Sequence, residues 1–225
     1  MRKASPVKEI MNLADPEYIR KLGVNTDNLI SFAGGWVNHN APENLRKAYV
    51  DITSDPKQFH SSGAYSPTLG NQEFKTALCK FEHELYGMNI SETQIAVGSS
   101  STQLTTELFT VLLDPHDKIL LLDPSYCNFP TQVITEIPEI EILRFSVINE
   151  ENWKFIADEK IEEFSQYILE NKPKIVMLVS PDNPTSKVLS HEFVQATFNA
   201  VKKINGFLII DFAYKELTFD DNLPE

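Results

Sequence analysis

The sequence has little of what would tie it to several large classes of protein. Among 225 residues there are only 2 cysteines, Cys79 and Cys127. They are too few for a disulfide framework, and both sit in apolar periodic segments, as buried free thiols in a reducing compartment do. The 5 histidines, at positions 39, 60, 83, 116 and 191, show no metal-ligand spacing. No basic cluster is stronger than Lys202-Lys203, and a net charge of −12 argues against nucleic-acid binding. No apolar run is long enough to span a membrane, and the N-terminus lacks the apolar core of a signal peptide. Asn89-Ile90-Ser91 matches the glycosylation sequon, but nothing else points to secretion. There are no internal repeats and no low-complexity tracts. These absences leave a cytoplasmic protein as the expectation.

What is present is ordinary globular material, 42% apolar and 23% charged. The length allows one sizeable core, or a core with a smaller appendage. Residues 1–29 read as an arm with short helical patterns at 6–11 and 16–22, the second closed by Gly23. Such an arm is too short to make a core alone and is expected to dock on something, such as another subunit. After the extended run Ile30-Ser31-Phe32 comes Gly34-Gly35, a pair that lets backbone approach a neighbour or ligand, or makes a simple turn. A helix follows near 42–53, then a long loop-like stretch, 54–70, punctuated by Tyr65, Pro67 and Gly70. Asn71 opens a helix to about 86, with Phe74, Leu78, Phe81 and Leu85 on one face, and Gly87 ends it.

From there the pattern alternates. Strands are expected at 94–97, 118–122, 139–144, 174–179 and 207–210, with helices near 101–113, 128–136, 158–171 and 190–205. Alternation of this kind implies βαβ units and an α/β fold: a mostly parallel sheet flanked by helices. The stretch 218–225 reads as a loop heading onward, so these strands are expected to be most of a larger domain, incomplete at its C-terminal end.

The polar residues collect where strands end. Gly98-Ser99-Ser100-Ser101-Thr102 joins an expected strand to a helix start, where exposed N–H groups and hydroxyls make either an anion site or a plain Ser/Thr cap. It is neither a P-loop nor the Gly-x-Gly-x-x-Gly fingerprint. Asp123-Pro124-Ser125-Tyr126 follows another strand, and Tyr126 there can stack on a flat ligand or line the core. Ser180, Asp182 and Asn183 follow a third strand, and Asp211 and Tyr214 a fourth. Ligands of open α/β sheets bind outside these carboxyl ends. Asp211 suits either a structural hydrogen bond or a cationic ring nitrogen; Asn183 and Tyr214 suit an anionic ring oxygen. A phosphate, a flat ring, a basic ring nitrogen and a phenolate oxygen together describe pyridoxal 5′-phosphate.

In these motifs and their order the chain resembles the class I/II aminotransferases, the fold-type I pyridoxal-phosphate enzymes related to aspartate aminotransferase. Tyr65-x-Pro67-x-x-Gly70 is similar to the family's Tyr-x-Pro-x-x-Gly, whose tyrosine reaches the phosphate held by the partner subunit. Counting back from Leu113-Asp114-Pro115-His116-Asp117, similar to Leu-Asp-Pro-Gly-Asp, puts Ser101 and Thr102 on the phosphate-contacting positions. Tyr126 falls on the ring-stacking position. Asn183-Pro184-Thr185-Ser186 resembles Asn-Pro-Thr-Gly, with Asn183 near the ring oxygen and the substrate carboxylate. Asp211-Phe212-Ala213-Tyr214 resembles Asp-Glu-Ala-Tyr, with Asp211 on the pyridine nitrogen and Tyr214 on the ring oxygen. Gly34-Gly35 resembles the turn that meets the substrate carboxylate. Ser186, Ser100 and Phe212 depart from the pattern without removing a ring contact.

The resemblance implies an aminotransferase that moves an amino group between an amino acid and a 2-keto acid, as a homodimer. It also implies a Schiff-base lysine and a carboxylate-gripping arginine, both expected after Glu225, so no catalytic residue is assigned within these residues. Lys187 and Lys215 are off the family position and read as surface lysines. Residues 30–225 are then most of the large cofactor domain, the C-terminal small domain is absent, and the 225-residue chain alone is expected to be inactive. A β-lyase or cyclopropane-forming synthase of the same fold, or a non-enzymatic regulatory domain retaining it, would share these motifs.

Overall fold

The computed structural model describes residues 6–30, 32 and 40–217. The chain divides into two compact units, Ile10–Ser100 and the stretch from Ser101 onward, with Met1–Glu9 grouped with the second. Helix α1 (Pro6–Ala14) crosses that boundary.

The first unit is helical: α2 (Pro16–Lys21), α3 (Glu43–Ser54), α4 (Pro56–Ser62) and α5 (Gln72–Tyr86). Its ends follow local chemistry. Gly23 takes the left-handed conformation, φ 82, after α2 and donates its N–H to Arg20 at 2.9 Å. Asn71 caps α5 by accepting from the N–H groups of Glu73 (2.8 Å) and Phe74 (3.3 Å), and Gly87, φ 65, closes it. Two expectations need correction. The stretch 54–70 is not all loop, because Asp55 accepts from Lys57 N–H (2.8 Å) and Gln58 N–H (3.2 Å) while Pro56 supplies a preset first helical position, and α4 forms. Residues 94–97 form no strand. Glu92–Gln94 instead makes a 3-10 turn, tied by Ser91 N–H to Gln94 Oε1 at 3.0 Å, and Val97 N–H goes to the loop carbonyl of Leu69 at 3.2 Å. On α5, Phe74, Phe81 and Leu85 are exposed.

The second unit carries the sheet. Strands β1 (Lys118–Asp123), β2 (Glu141–Ser146), β3 (Ile175–Val179) and β4 (Phe207–Asp211) pair in parallel in the order β2-β1-β3-β4. The period of two sorts their side chains. Ile119 and Leu121 of β1, with Ile175, Met177 and Val179 of β3, pack on α6 (Ser101–Leu112) and α7 (Asn128–Glu136) through Phe109, Phe129 and Val133. Leu120, Leu122, Val176 and Leu178 face the other way, onto Phe164 and Ile168 of α8 (Ile161–Asn171) and Phe193, Ala200 and Val201 of α9 (His191–Lys203). A central strand clad on both faces reads as an unbroken apolar run, and β3 is buried along its whole length. Truncating any one of the fully buried Phe109, Phe129, Phe164 or Phe193 to alanine is worth about 3–5 kcal/mol.

The connections set the site. From β1 the chain passes through α7 to β2 on one side; from β3 it passes through α9 to β4 on the other. The two crossover helices lie on opposite faces, as right-handed connections require when the direction of travel reverses. The reversal point lies between β1 and β3.

Candidate functional site

At a reversal of strand order the loops leaving adjacent strands part, and their carboxyl ends frame a crevice. Here those ends deliver Asp123-Pro124-Ser125-Tyr126 from β1, Ser180-Pro181-Asp182-Asn183 from β3 and Asp211-Phe212-Ala213-Tyr214 from β4. The β3 and β4 ends are in register at Val179 and Asp211, and Ser180 N–H donates to the Asp211 carbonyl at 3.0 Å.

Tyr126 is half-buried, its ring edge-on to Phe129 at 5.2 Å and 83°. Its phenol is pushed above the ordinary tyrosine range, first by burial and then by the charges of Cys127, Tyr214 and Asp211. Asp211 and Tyr214 thus act on the Tyr126 phenol, although they follow a strand far from it in sequence.

Asp211 accepts the N–H of Ala213 at 2.9 Å on Oδ1, which fixes the turn after β4. Neither Oδ2 of Asp211, nor the Tyr214 hydroxyl, nor the half-buried Asn183 amide makes a side-chain hydrogen bond among the described residues. Their neighbour Asp182 is the opposite case. It is 7% exposed, and its Oδ2 accepts the Thr185 hydroxyl at 2.6 Å and the Thr185 N–H at 3.0 Å. Its own N–H goes to Lys187 (2.8 Å) and its carbonyl accepts from Ser186 (2.8 Å). Asp182 therefore builds the turn, and Asn183 is the side chain that the turn presents. Burial pushes the Asp182 carboxyl above the usual carboxylate range, against the two bonds from Thr185.

Ser101 and Thr102 open α6, and both are exposed. The first N–H groups of a helix have no partner inside it, so this end attracts an anion. The carbonyls of this turn are already engaged: Ser101 O accepts the Thr105 hydroxyl at 2.9 Å, and Thr102 O accepts the Thr106 hydroxyl at 2.8 Å and the Gln132 amide at 2.8 Å. Gln132 escapes a reading of the sequence alone. The available signal was a polar residue on the apolar face of α7 shared by Phe129 and Val133.

The residues expected at the site thus divide. Ser101, Thr102, Tyr126, Asn183, Asp211 and Tyr214 belong to the unit that begins at Ser101. Tyr65 lies in the other unit, fully exposed. Gly35 lies outside the described residues. A groove of about 470 Å³ opens at the opposite, amino ends of the strands, lined by His116, Lys118, Lys174 and Asn205 among others. Two of its lining side chains face carboxylates, Lys118 lying 3.6 Å from Glu141 and His116 3.1 Å from Glu139. At the carboxyl edge stand polar groups with atoms left uncommitted among the described residues, and their chemistry fits pyridoxal phosphate: anion donors at a helix start, an aromatic face, a carboxylate and two hydrogen-bond donors.

The family model for aminotransferases of class I and II matches residues 28–224. An asparagine–oxo-acid transaminase of Streptococcus mutans is 23% identical over 219 residues, 97% of this chain and 53% of that protein. An aspartate aminotransferase of Thermotoga maritima is 27% identical over 157 residues, 70% of this chain and 40% of that protein. The solved structure of aspartate aminotransferase from Thermus thermophilus with maleate superposes with a TM-score of 0.80 at 22% identity, covering 97% of this chain and 53% of that one. The chain spans about half the length of the curated relatives it matches.

Proposed function

Because this chain belongs to the class I and II aminotransferases, we propose that it forms the cofactor-holding part of an enzyme that moves an amino group between an amino acid and a 2-keto acid with pyridoxal 5′-phosphate. When bound, that cofactor supplies an electron sink for the substrate's α-carbon. The chain's residues have separable tasks. The α6 N-terminus with the hydroxyls of Ser101 and Thr102 holds the phosphate. Tyr126 gives a face for the ring. Asp211 keeps a proton on the ring nitrogen, and its free Oδ2 is the atom available for it. Tyr214 and Asn183 donate to the ring oxygen, and Asn183 and Gly35 orient the substrate carboxylate. Tyr65 reaches the phosphate held by the partner subunit of a homodimer. The lysine that moves the substrate proton belongs after Glu225, so the 225 residues alone bind without turning over. In this reading residues 1–29 are the arm, residues 30–225 are most of the large domain, and the protein works in the cytoplasm.

The observation that supports the reading is that parallel β1, β3 and β4 end at one sheet edge, with Tyr126, Asn183, Asp211 and Tyr214 at or just after their ends. The test is the full-length protein with pyridoxal phosphate and a panel of amino donors and 2-keto acids. Amino transfer that depends on the keto acid supports the proposal. Release of ammonia without an acceptor would reassign the reaction to elimination, and failure to take up pyridoxal phosphate would overturn the cofactor assignment.

A further inference from the structure

Gln132 is 7% exposed in the middle of α7, and its Nε2 meets three oxygens of α6: Thr102 O at 2.8 Å, Thr105 Oγ1 at 2.9 Å and Thr106 Oγ1 at 2.7 Å. The orientation of the amide follows from the proton count. Both threonine hydroxyls spend their single hydrogen on backbone carbonyls, Thr105 on Ser101 O (2.9 Å) and Thr106 on Thr102 O (2.8 Å). All three oxygens can therefore only accept, so the NH2 must face α6. Its Oε1 is left buried without a partner among the described residues. An unpaired buried acceptor costs about 1–3 kcal/mol, whereas leucine or methionine on this apolar face carries no such penalty. That cost offsets much of what the bonds of Nε2 contribute, at about 0.5–1.5 kcal/mol each, so net stability does little to explain glutamine here.

Its partners explain it. The three oxygens lie in the first turns of α6, which begins with Ser101 and Thr102, while α7 begins just after Tyr126. Tyr126 is held to α7 by Phe129, and Phe129 in turn packs edge-on to Phe109 of α6 at 6.5 Å. The apolar contact sets how far apart the helices are. It tolerates sliding and rotation; a buried amide shared among three oxygens does not.

We propose that Gln132 is a positioning residue that fixes the phosphate-binding turn at Ser101 and Thr102 relative to the ring-stacking Tyr126. The proposal rests on the cofactor reading above and assigns to that site a residue that touches neither cofactor nor substrate. Removing the amide leaves the phosphate turn and the stacking face intact but no longer registered.

The experiment compares the full-length wild type with Gln132→Met, which keeps length and loses the donor, and Gln132→Glu, which keeps shape and offers only acceptors. Affinity is measured by absorbance for pyridoxal 5′-phosphate and for pyridoxal, with amide hydrogen exchange read in the first turn of α6. The expected result is a fall of about tenfold in the phosphate-to-pyridoxal affinity ratio for Gln132→Met, the scale of one hydrogen bond, and a larger fall for Gln132→Glu. Exchange in the α6 turn quickens, while pyridoxal affinity changes less than about twofold. A merely structural role would weaken both ligands alike, so an unchanged ratio overturns the proposal. Should Gln132→Met not fold, Thr106→Val removes one acceptor at a half-buried position and is expected to lower the same ratio about threefold; no change there overturns the proposal equally. A wild type that binds neither ligand would sink the cofactor reading itself, a result distinct from a wild type that binds both and variants that match it.

Discussion

Asp182 and Thr185 close a turn on each other: one buried carboxylate oxygen takes both the hydroxyl hydrogen, at 2.6 Å, and the amide hydrogen, at 3.0 Å, of a residue three positions on. The turn follows β3 directly and carries Asn183, so a proposed site side chain is aimed by two residues bonded to each other through one carboxylate oxygen. Burial outweighs these two bonds and leaves the Asp182 carboxyl above its ordinary value.

A pH dependence follows. A carboxyl raised in the folded state binds its proton more tightly folded than unfolded. Its contribution to stability is full below the unfolded pKa and is lost as pH rises through the folded one. Asp182→Asn keeps an oxygen for both Thr185 donors and cannot ionise. The variant should show a flatter stability profile across mildly acidic pH than the wild type, measured by urea unfolding at each pH. Parallel profiles would show that Asp182 does not titrate with folding.

Asp211 is the second case. Its Oδ1 is committed to the Ala213 N–H, and Asp211→Asn can keep that bond through its own carbonyl. The variant should therefore fold and take up pyridoxal phosphate in the full-length protein. Without a carboxylate to hold the ring proton, amino transfer should fall by about 10²–10³-fold, the scale seen when one preorganised electrostatic partner is removed. Full activity in Asp211→Asn would remove Asp211 from the ring nitrogen.

These two residues also show how much the sequence reveals. Tyr126, Asp211 and Tyr214 follow apolar strands, and a strand end has one location in an α/β sheet, so their place at its carboxyl edge was legible. So were the sheet and its helices, because β3 and its neighbours are apolar runs too strong to read otherwise. The failures have local causes. Residues 94–97 have strand composition, yet Val97 pairs with a loop carbonyl, and partner choice is tertiary information. Helix α4 is polar and short, so periodicity misses it; the Asp55-Pro56 cap and first position were the readable sign. Asp182 read only as one polar residue among several because its task depends on which neighbour it faces. Gln132 hid because a polar residue in a helix ordinarily faces water.

Gly70 tests the packing of the helical unit. It has φ 99, and a Cβ there would lie 2.6 Å from both Cβ and Cγ2 of Val97. Gly70→Ala meets two separate penalties, a backbone conformation that L-residues avoid and a collision with a branched side chain. Together these should lower stability by about 2–4 kcal/mol, read as a lower urea midpoint. Adding Val97→Gly removes the collision and leaves the backbone penalty, so the double variant should recover only relative to its own Val97→Gly parent. Equal effects of Gly70→Ala in both backgrounds would mean that the contact with Val97 contributes nothing.

Ser186 gives the opposite sign. It sits at φ 58, in the left-handed region, at the position where the Asn-Pro-Thr-Gly pattern has glycine. Its N–H donates to Asp182 O at 2.8 Å, a bond that glycine keeps, and its hydroxyl makes no hydrogen bond among the described residues. Glycine relieves about 1–2 kcal/mol of left-handed strain and gives back about 0.5–1 kcal/mol through its freer unfolded chain. Ser186→Gly should therefore stabilise by about 0.5–1 kcal/mol, seen as a raised urea midpoint with an unchanged slope. Ser186→Ala is the control: it deletes the hydroxyl but retains the strained Cβ, and should match the wild type. A gain in Ser186→Ala as large as in Ser186→Gly would trace the effect to the side chain and not to the backbone. Since Ser186 closes the turn that Asp182 and Thr185 build, a gain confined to glycine would also show that this turn holds its shape against the strain, as a turn that presents Asn183 must.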